Sequence, residues 1–199
     1  QKFDSELRNY FKKIIKNYNK NSNYLIGIPY YINQSNEELK KDPIKFSIWL
    51  HLKVEFVRSF QAKEKYFDAH FFYQKEYCIP FIEQNLLNNS VIIVSNKSTK
   101  EKIINSQIYQ KNNFKSLDFI ETPSENSFSE YQNIVSKIEN MLSSNEFQQY
   151  SKKEIKIIFS TGPTSKVLVY YFSQKGYISF DIGYGIRYLW DQKDVSYKI

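Results

Sequence analysis

Hydrophobic positions along this chain switch between a period near 3.6 and short continuous runs, the patterns of amphipathic helices and buried strands. Leu7, Tyr10, Phe11, Ile14, Ile15 and Tyr18 recur at helical spacing and predict a helix over 5–18. A buried strand over 24–28 follows and is closed by Pro29. Phe46, Trp49, Leu50, Val54, Phe56, Val57 and Phe60 predict a helix over 43–60, behind the breaker Asp42-Pro43. Residues 66–72 read as a short strand, and 73–87 as a helix that Pro80 kinks or splits. The β-branched run 91–95 is a strand, and Ser98-Thr-Lys-Glu101 after it has capping-box spacing. A weaker strand over 117–121 stops at Thr122-Pro123, and Phe128, Tyr131, Ile134, Val135, Ile138 and Leu142 predict a helix over 128–142.

The clearest alternation lies over 155–183. An apolar run, 155–160, ends in Thr161-Gly-Pro-Thr-Ser165, an amphipathic segment stops at Gly176, and a second apolar run ends at Asp181. The whole pattern predicts an α/β fold, with a mostly parallel sheet of about six strands and helices on both faces. A chain of 199 residues can bury one full core, so a single domain over 1–199 is expected.

In such sheets ligands bind outside the carboxyl ends of the strands. That rule selects the turns at 27–29, 95–97, 122–126, 162–166 and 181–184. The turn after 155–160 opens directly onto a helix N-terminus, whose unpaired N–H groups and positive dipole end suit a phosphate. Gly162 allows close approach of the backbone, Pro163 fits the first helical turn, Thr164 and Ser165 carry hydroxyls, and Lys166 adds a charge. The same residues also make an ordinary well-capped helix, and one Gly-containing turn does not separate the two readings. Asp4-Ser5-Glu6 is the only Asp-x-Asp or Asp-x-Glu triplet. Carboxylates at i and i+2 of extended backbone project to one side and can share a hard divalent cation with a diphosphate. The competing reading is that Asp4 or Ser5 caps the next helix while Glu6 favours its positive end.

The net charge of +7 raises the question of nucleic acid, but Arg8, Arg58 and Arg187 are the only arginines. Base readout and bidentate phosphate clamping favour arginine, so dedicated nucleic-acid binding is not expected. The charge suits anionic substrates or the inner surface of a membrane. No run of about 18 apolar residues and no signal peptide is visible, although the first residue is Gln, which leaves room for an upstream segment. Cys78 is the sole cysteine, which excludes an internal disulfide and a cysteine-based zinc cage and agrees with a reducing cytoplasm. His51 and His70 are the only imidazoles, too few and too far apart in the pattern for a histidine-rich metal site.

Asp4-Ser-Glu6-Leu7, Leu25-Ile-Gly-Ile-Pro29, Thr122-Pro-Ser-Glu-Asn-Ser-Phe128, Ser160-Thr-Gly-Pro-Thr-Ser-Lys-Val-Leu168, Lys175-Gly-Tyr177 and Phe180-Asp-Ile-Gly183 follow one another along the chain. In this order they resemble the bacterial GT-D type glycosyltransferases over nearly the whole length. The resemblance implies a Rossmann-like α/β fold, a nucleotide-sugar donor, chiefly a UDP-sugar, and a glycan or glycoprotein acceptor in bacterial surface-glycan synthesis. It also implies a metal-assisted Asp-x-Glu motif, using Mn2+ or Mg2+, which Asp4 and Glu6 match. Gly27, Pro29, Gly162, Pro163, Thr164, Ser165 and Lys166 are then nucleotide-sugar contacts, and Asn126 and Tyr184 position sugar or acceptor. Asp181 is the first candidate for the catalytic base and Glu121 the second. Four positions depart from the family pattern: Phe3 and Ser5 replace glycines around the acids, Tyr184 replaces a histidine, and Tyr73 replaces an arginine. A non-catalytic α/β domain that binds a nucleotide or phosphorylated ligand is the alternative from another class.

Overall fold

The structure, a computed structural model, describes residues 4–19, 21–28, 35–41, 46, 54, 67–111 and 113–191. Pro29, and the expected 43–60 helix apart from Phe46 and Val54, lie outside the described residues. The chain divides into two compact units, Gln1–Phe11 with Phe72–Ile199, and Lys12–Phe71. Its strands are β1 Gly27–Ile28, β2 Phe67–Asp68, β3 Ser90–Asn96, β4 Ser116–Thr122, β5 Ile155–Ser160 and β6 Ile178–Asp181. Its helices include α1 Ser5–Lys16, α2 Asn36–Lys40, α3 Lys75–Asn85, α4 Lys97–Ile104, α5 Gln107–Gln110, α6 Tyr131–Leu142, α7 Asn145–Gln148 and α8 Thr164–Gln174.

The six strands among the described residues do not form one sheet. Four make a parallel sheet in the order β4-β3-β5-β6, and β1 and β2 make a separate parallel pair. β1 and β2 hold two residues each, with Gly27 opposite Phe67 and Ile28 opposite Asp68. Tyr24, expected within the first strand, instead turns its hydroxyl to donate to the Ile14 carbonyl at 2.7 Å. The pairing begins at Ile26, whose carbonyl accepts from the Phe67 N–H at 3.1 Å.

In the larger unit the middle strands are those with continuous apolar runs, because both of their faces are covered. Val91, Ile92, Ile93 and Val94 of β3 and Ile157, Ile158 and Phe159 of β5 are all fully buried. Side chains alternate across the pleat, so Val91, Ile93 and Ile158 share one face. There they pack with Cys78 and Ile82 of α3 and with Ile186 and Leu189 of the 3-10 segment Gly183–Leu189. Phe159 points to the other face and stacks on Phe172 of α8, centroids 6.1 Å apart.

Two expected boundaries move. Asn96, not Ser98, caps α4: its Oδ1 accepts from the Thr99 N–H at 2.9 Å, so β3 runs into the helix without a loop. The 128–142 pattern splits into a 3-10 turn, Ser127–Glu130, and α6. Asn126, in the left-handed region at φ 51°, redirects the chain between β4 and that turn.

Candidate functional site

Because the four strands of the larger sheet are parallel, their carboxyl ends deliver four turns to the same edge. Three of these turns meet in a cleft of about 130 Å³ lined by Asn96, residues 123–127 and residues 160–163. Asn126, Gly162 and Pro163, chosen from the sequence, are thus neighbours.

Gly162 has φ +63°, and a Cβ built on it would meet nothing within 4 Å. The space above this turn is open and its backbone can be approached closely. Ser165 is turned inward: its Oγ accepts from the Thr161 N–H at 2.9 Å and shares a second hydrogen bond with Thr161 Oγ1 at 2.9 Å. Its hydroxyl therefore closes the turn. Thr164 Oγ1 and Thr122 Oγ1 are buried with no hydrogen-bond partner among the described residues. Each belongs to a residue adjoining a proline of the cleft lining, Pro163 and Pro123. An orphaned buried hydroxyl costs about 1–3 kcal/mol, so both sites are suited to gaining a partner.

Lys166 Nζ donates to Asp181 Oδ2 at 2.9 Å, joining the start of α8 to the end of β6. Two residues selected for different roles, phosphate contact and base, are thus an ion pair. Ser160 Oγ donates to the Gly183 carbonyl at 3.0 Å and ties the cleft to the next strand end. Gly183 sits at φ +51°, where a Cβ would lie 3.5 Å from Tyr73 Oη and 3.9 Å from Asp181 Oδ1. Tyr184 follows, 58% exposed. Its ring stacks beside Tyr73 with centroids 6.1 Å apart, and the Arg187 guanidinium lies 4.4 Å from its centroid. Hydrogen bonds to the Tyr188 and Tyr184 hydroxyls hold the Arg187 pKa above its ordinary value. Below this surface, burial pushes the Cys78 thiol up to about 12, against the opposing charge of Arg187.

The Asp4 region departs from the extended backbone expected of it. Asp4 is the N-cap of α1, its Oδ1 accepting from the N–H groups of Glu6 at 2.8 Å and Leu7 at 3.0 Å. Helical backbone begins at Ser5 because this carboxylate satisfies donors that a helix start leaves unpaired. Further along α1, Tyr10 packs on Phe128 and Tyr131, centroids 6.0 and 5.5 Å away. Among the described residues no three His, Cys, Asp or Glu side chains converge as a metal cage. The helical start removes the extended backbone that would set both carboxylates to one side; what remains are two hard oxygen donors, Asp4 Oδ2, not used by the cap, and the exposed Glu6, of the kind that Mg2+ and Mn2+ share with phosphate oxygens and water.

Glu121 and Gly27 are the remaining described candidates. Glu121 pairs with Lys100 at 2.8 Å and lines a separate cavity of about 570 Å³ beside β4, with Lys137 and Glu146. Gly27 belongs to the smaller unit, where a Cβ would come within 3.2 Å of Ala69. Ser160 and Arg187 were missed from the sequence, since neither stands in a motif that announces its partner.

The family model for the glycosyltransferase GT-D fold matches residues 1–199, and the chain belongs to that family. It is therefore a glycosyltransferase by family, with a parallel α/β architecture to match. One similar solved structure is described as a new glycosyltransferase, domain of unknown function 1792, from Streptococcus sanguinis. It has 20% identity and TM-score 0.73, with 100% of this chain and 73% of that chain covered. Another, described as the highly conserved domain of unknown function 1792 with a distinct glycosyltransferase fold, has 18% identity and TM-score 0.70, with 100% and 70% covered. No curated protein matches the chain. No helix among the described residues is long and apolar enough to cross a membrane.

Proposed function

We propose that this glycosyltransferase moves a sugar from a nucleoside-diphosphate donor, a UDP-sugar, to a glycan or glycoprotein acceptor in bacterial surface-glycan synthesis. The observation that carries the reading is the open, side-chain-free approach to Gly162 at the start of α8, within a cleft built from three strand ends. The donor diphosphate rests against that turn, where N–H groups and the helix dipole favour negative charge.

Asp4 and Glu6 would hold Mg2+ or Mn2+, which when bound supplies neutralisation of the leaving diphosphate. Lys166 exchanges its pairing with Asp181 for the donor phosphate, and Asp181 then takes the proton of the acceptor hydroxyl. Asn126 and Tyr184 border the sugar on either side of Ser160. The charge of +7 favours an anionic partner surface, the inner face of the membrane among them, consistent with work in the cytoplasm.

A second reading, a domain that binds the nucleotide without transferring sugar, draws on the same ion pair, which occupies the candidate base. Thermal unfolding with UDP and Mn2+, followed by detection of UDP released from UDP-sugars, separates the two. A ligand at about 100 times its Kd stabilises by about 2.7 kcal/mol. The transferase reading expects both stabilisation and release. Stabilisation without release on any acceptor favours the second reading, and no response to UDP contradicts both.

A further inference from the structure

We infer that Tyr73 and Tyr184, with Arg187 bracing them, form a stepped aromatic shelf that takes a pyranose ring of the acceptor. The inference rests on the glycosyltransferase reading and adds to it the acceptor subsite and a residue, Tyr73, that the motifs do not assign to any role.

The first support is position. The Ser160–Gly183 hydrogen bond makes the shelf continuous with the cleft, so the two lie on adjacent strand ends, β5 and β6. Neighbouring strands are about 4.8 Å apart, so a donor sugar extending past Ser160 arrives at the shelf. The second support is exposure. Tyr73 is 48% and Tyr184 58% exposed, with ring planes 28° apart. Two large, nearly parallel rings presented together to solvent offer an apolar face with polar tips.

The third support is rigidity. Arg187 lies between two rings, 4.4 Å from the Tyr184 centroid and 4.8 Å from that of Tyr188. Its Nη2 donates to Tyr188 Oη at 2.8 Å, and that hydroxyl donates to the Tyr73 carbonyl at 3.0 Å. The rings are held before a ligand arrives, which lowers the entropy lost on binding.

The chemistry around the shelf selects the occupant. Tyr73 Oη and Asp181 Oδ1 both approach the empty Cβ position of Gly183, at 3.5 and 3.9 Å. An occupant must offer a flat C–H face to the rings and hydroxyls to the Asp181 carboxylate. A pyranose meets both demands, whereas an extended peptide offers its amides and no hydroxyl rim.

The test uses saturation-transfer NMR on the full chain, with methyl glycosides of glucose, galactose and N-acetylglucosamine as probes. UDP-induced thermal stabilisation is measured on the same samples. At least one glycoside should show transfer concentrated on the protons of one ring face. Tyr73→Ala and Tyr184→Ala should each weaken its binding about fivefold, the scale of one aromatic contact, while Tyr73→Phe retains it. UDP stabilisation should be the same in all variants. Absence of a tyrosine-dependent glycoside signal, with UDP stabilisation intact, overturns the shelf and leaves the donor site standing. Loss of glycoside and UDP responses together with a lower melting temperature also overturns it, since the tyrosines would then be packing residues. Failure of UDP to stabilise the unsubstituted protein instead contradicts the nucleotide-sugar reading beneath it.

Discussion

Lys166 and Asp181 share a hydrogen-bonded ion pair, Nζ to Oδ2 at 2.9 Å, across the start of α8 and the end of β6. The pair has unequal members: the Lys166 side chain is 60% exposed and that of Asp181 25%. A surface pair of this kind contributes about 0–1 kcal/mol, so a diphosphate can compete for the lysine.

Asp181→Asn should lower kcat by about 100-fold or more, the contribution of a general base, while UDP binds as well as before or more tightly. Lys166→Ala should weaken UDP by less than about 100-fold, the loss of one charge-assisted contact. Calorimetric UDP affinities beside initial rates check both. An Asp181→Asn protein with full turnover removes Asp181 from the reaction.

Gly162→Val should abolish UDP binding and cost about 1–2 kcal/mol of stability, since a β-branched residue is forced to φ +63°. Gly176→Ala serves as the control. It carries similar backbone strain at φ +83° but lies at the far end of α8, so it should lose stability and keep UDP affinity. Melting curves with and without UDP distinguish the two effects. Equal UDP responses in both variants would assign Gly162 to the fold alone.

Asp4→Ala should cost about 1 kcal/mol by removing the cap of α1. Asp4→Asn keeps a capping oxygen, so it should hold its melting temperature yet lose metal-dependent UDP affinity. The Asp4→Ala, Glu6→Ala double variant should lose at least about 2 kcal/mol of that affinity. Titrations with and without Mn2+ decide. Unchanged Mn2+-dependent binding in both variants reduces Asp4 to a cap.

How far these positions could be read in advance depended on distance along the chain. β3 and β5 were legible because burial on both faces demands unbroken apolar runs, and the strand-end rule then gathered Asn126, Gly162 and Pro163 into one cleft. The partition of β1 and β2 into their own sheet was not legible, since two-residue strands carry no periodicity. The capping-box spacing at Ser98 misled because Asn96, within the strand run, already supplies the cap. Side-chain commitments were hidden altogether. Nothing local says that Ser165 turns inward, that Lys166 faces Asp181, or that Tyr188 reaches the Tyr73 carbonyl 115 residues away.

Stability should fall in acid through Glu154 and Glu139. Hydrogen bonds from Lys115 and Ser151 bring Glu154 down from 4.5 to about 2, and Lys175 and Tyr171 lower Glu139. A carboxyl with a depressed folded pKa adds stability above its unfolded value and loses it as the pH falls through the folded one. The loss for Glu154 therefore spans 4.5 to about 2. Asp118 acts in the opposite sense, because burial and Glu146 raise its pKa, so its protonation in mild acid favours the fold. Urea midpoints across this range should drop less for Glu154→Gln than for the unsubstituted protein. Parallel curves would show that the Lys115 pairing adds nothing.

The central claim, a nucleoside diphosphate at the start of α8, is tested most directly by backbone-amide NMR of the labelled protein titrated with UDP and Mg2+. The account predicts the largest shifts at Gly162, Thr164 and Ser165, with smaller ones at Asn126 and Gly183. Shifts confined to the cavity beside β4, around Lys100 and Lys137, with none at residues 162–165, would contradict it.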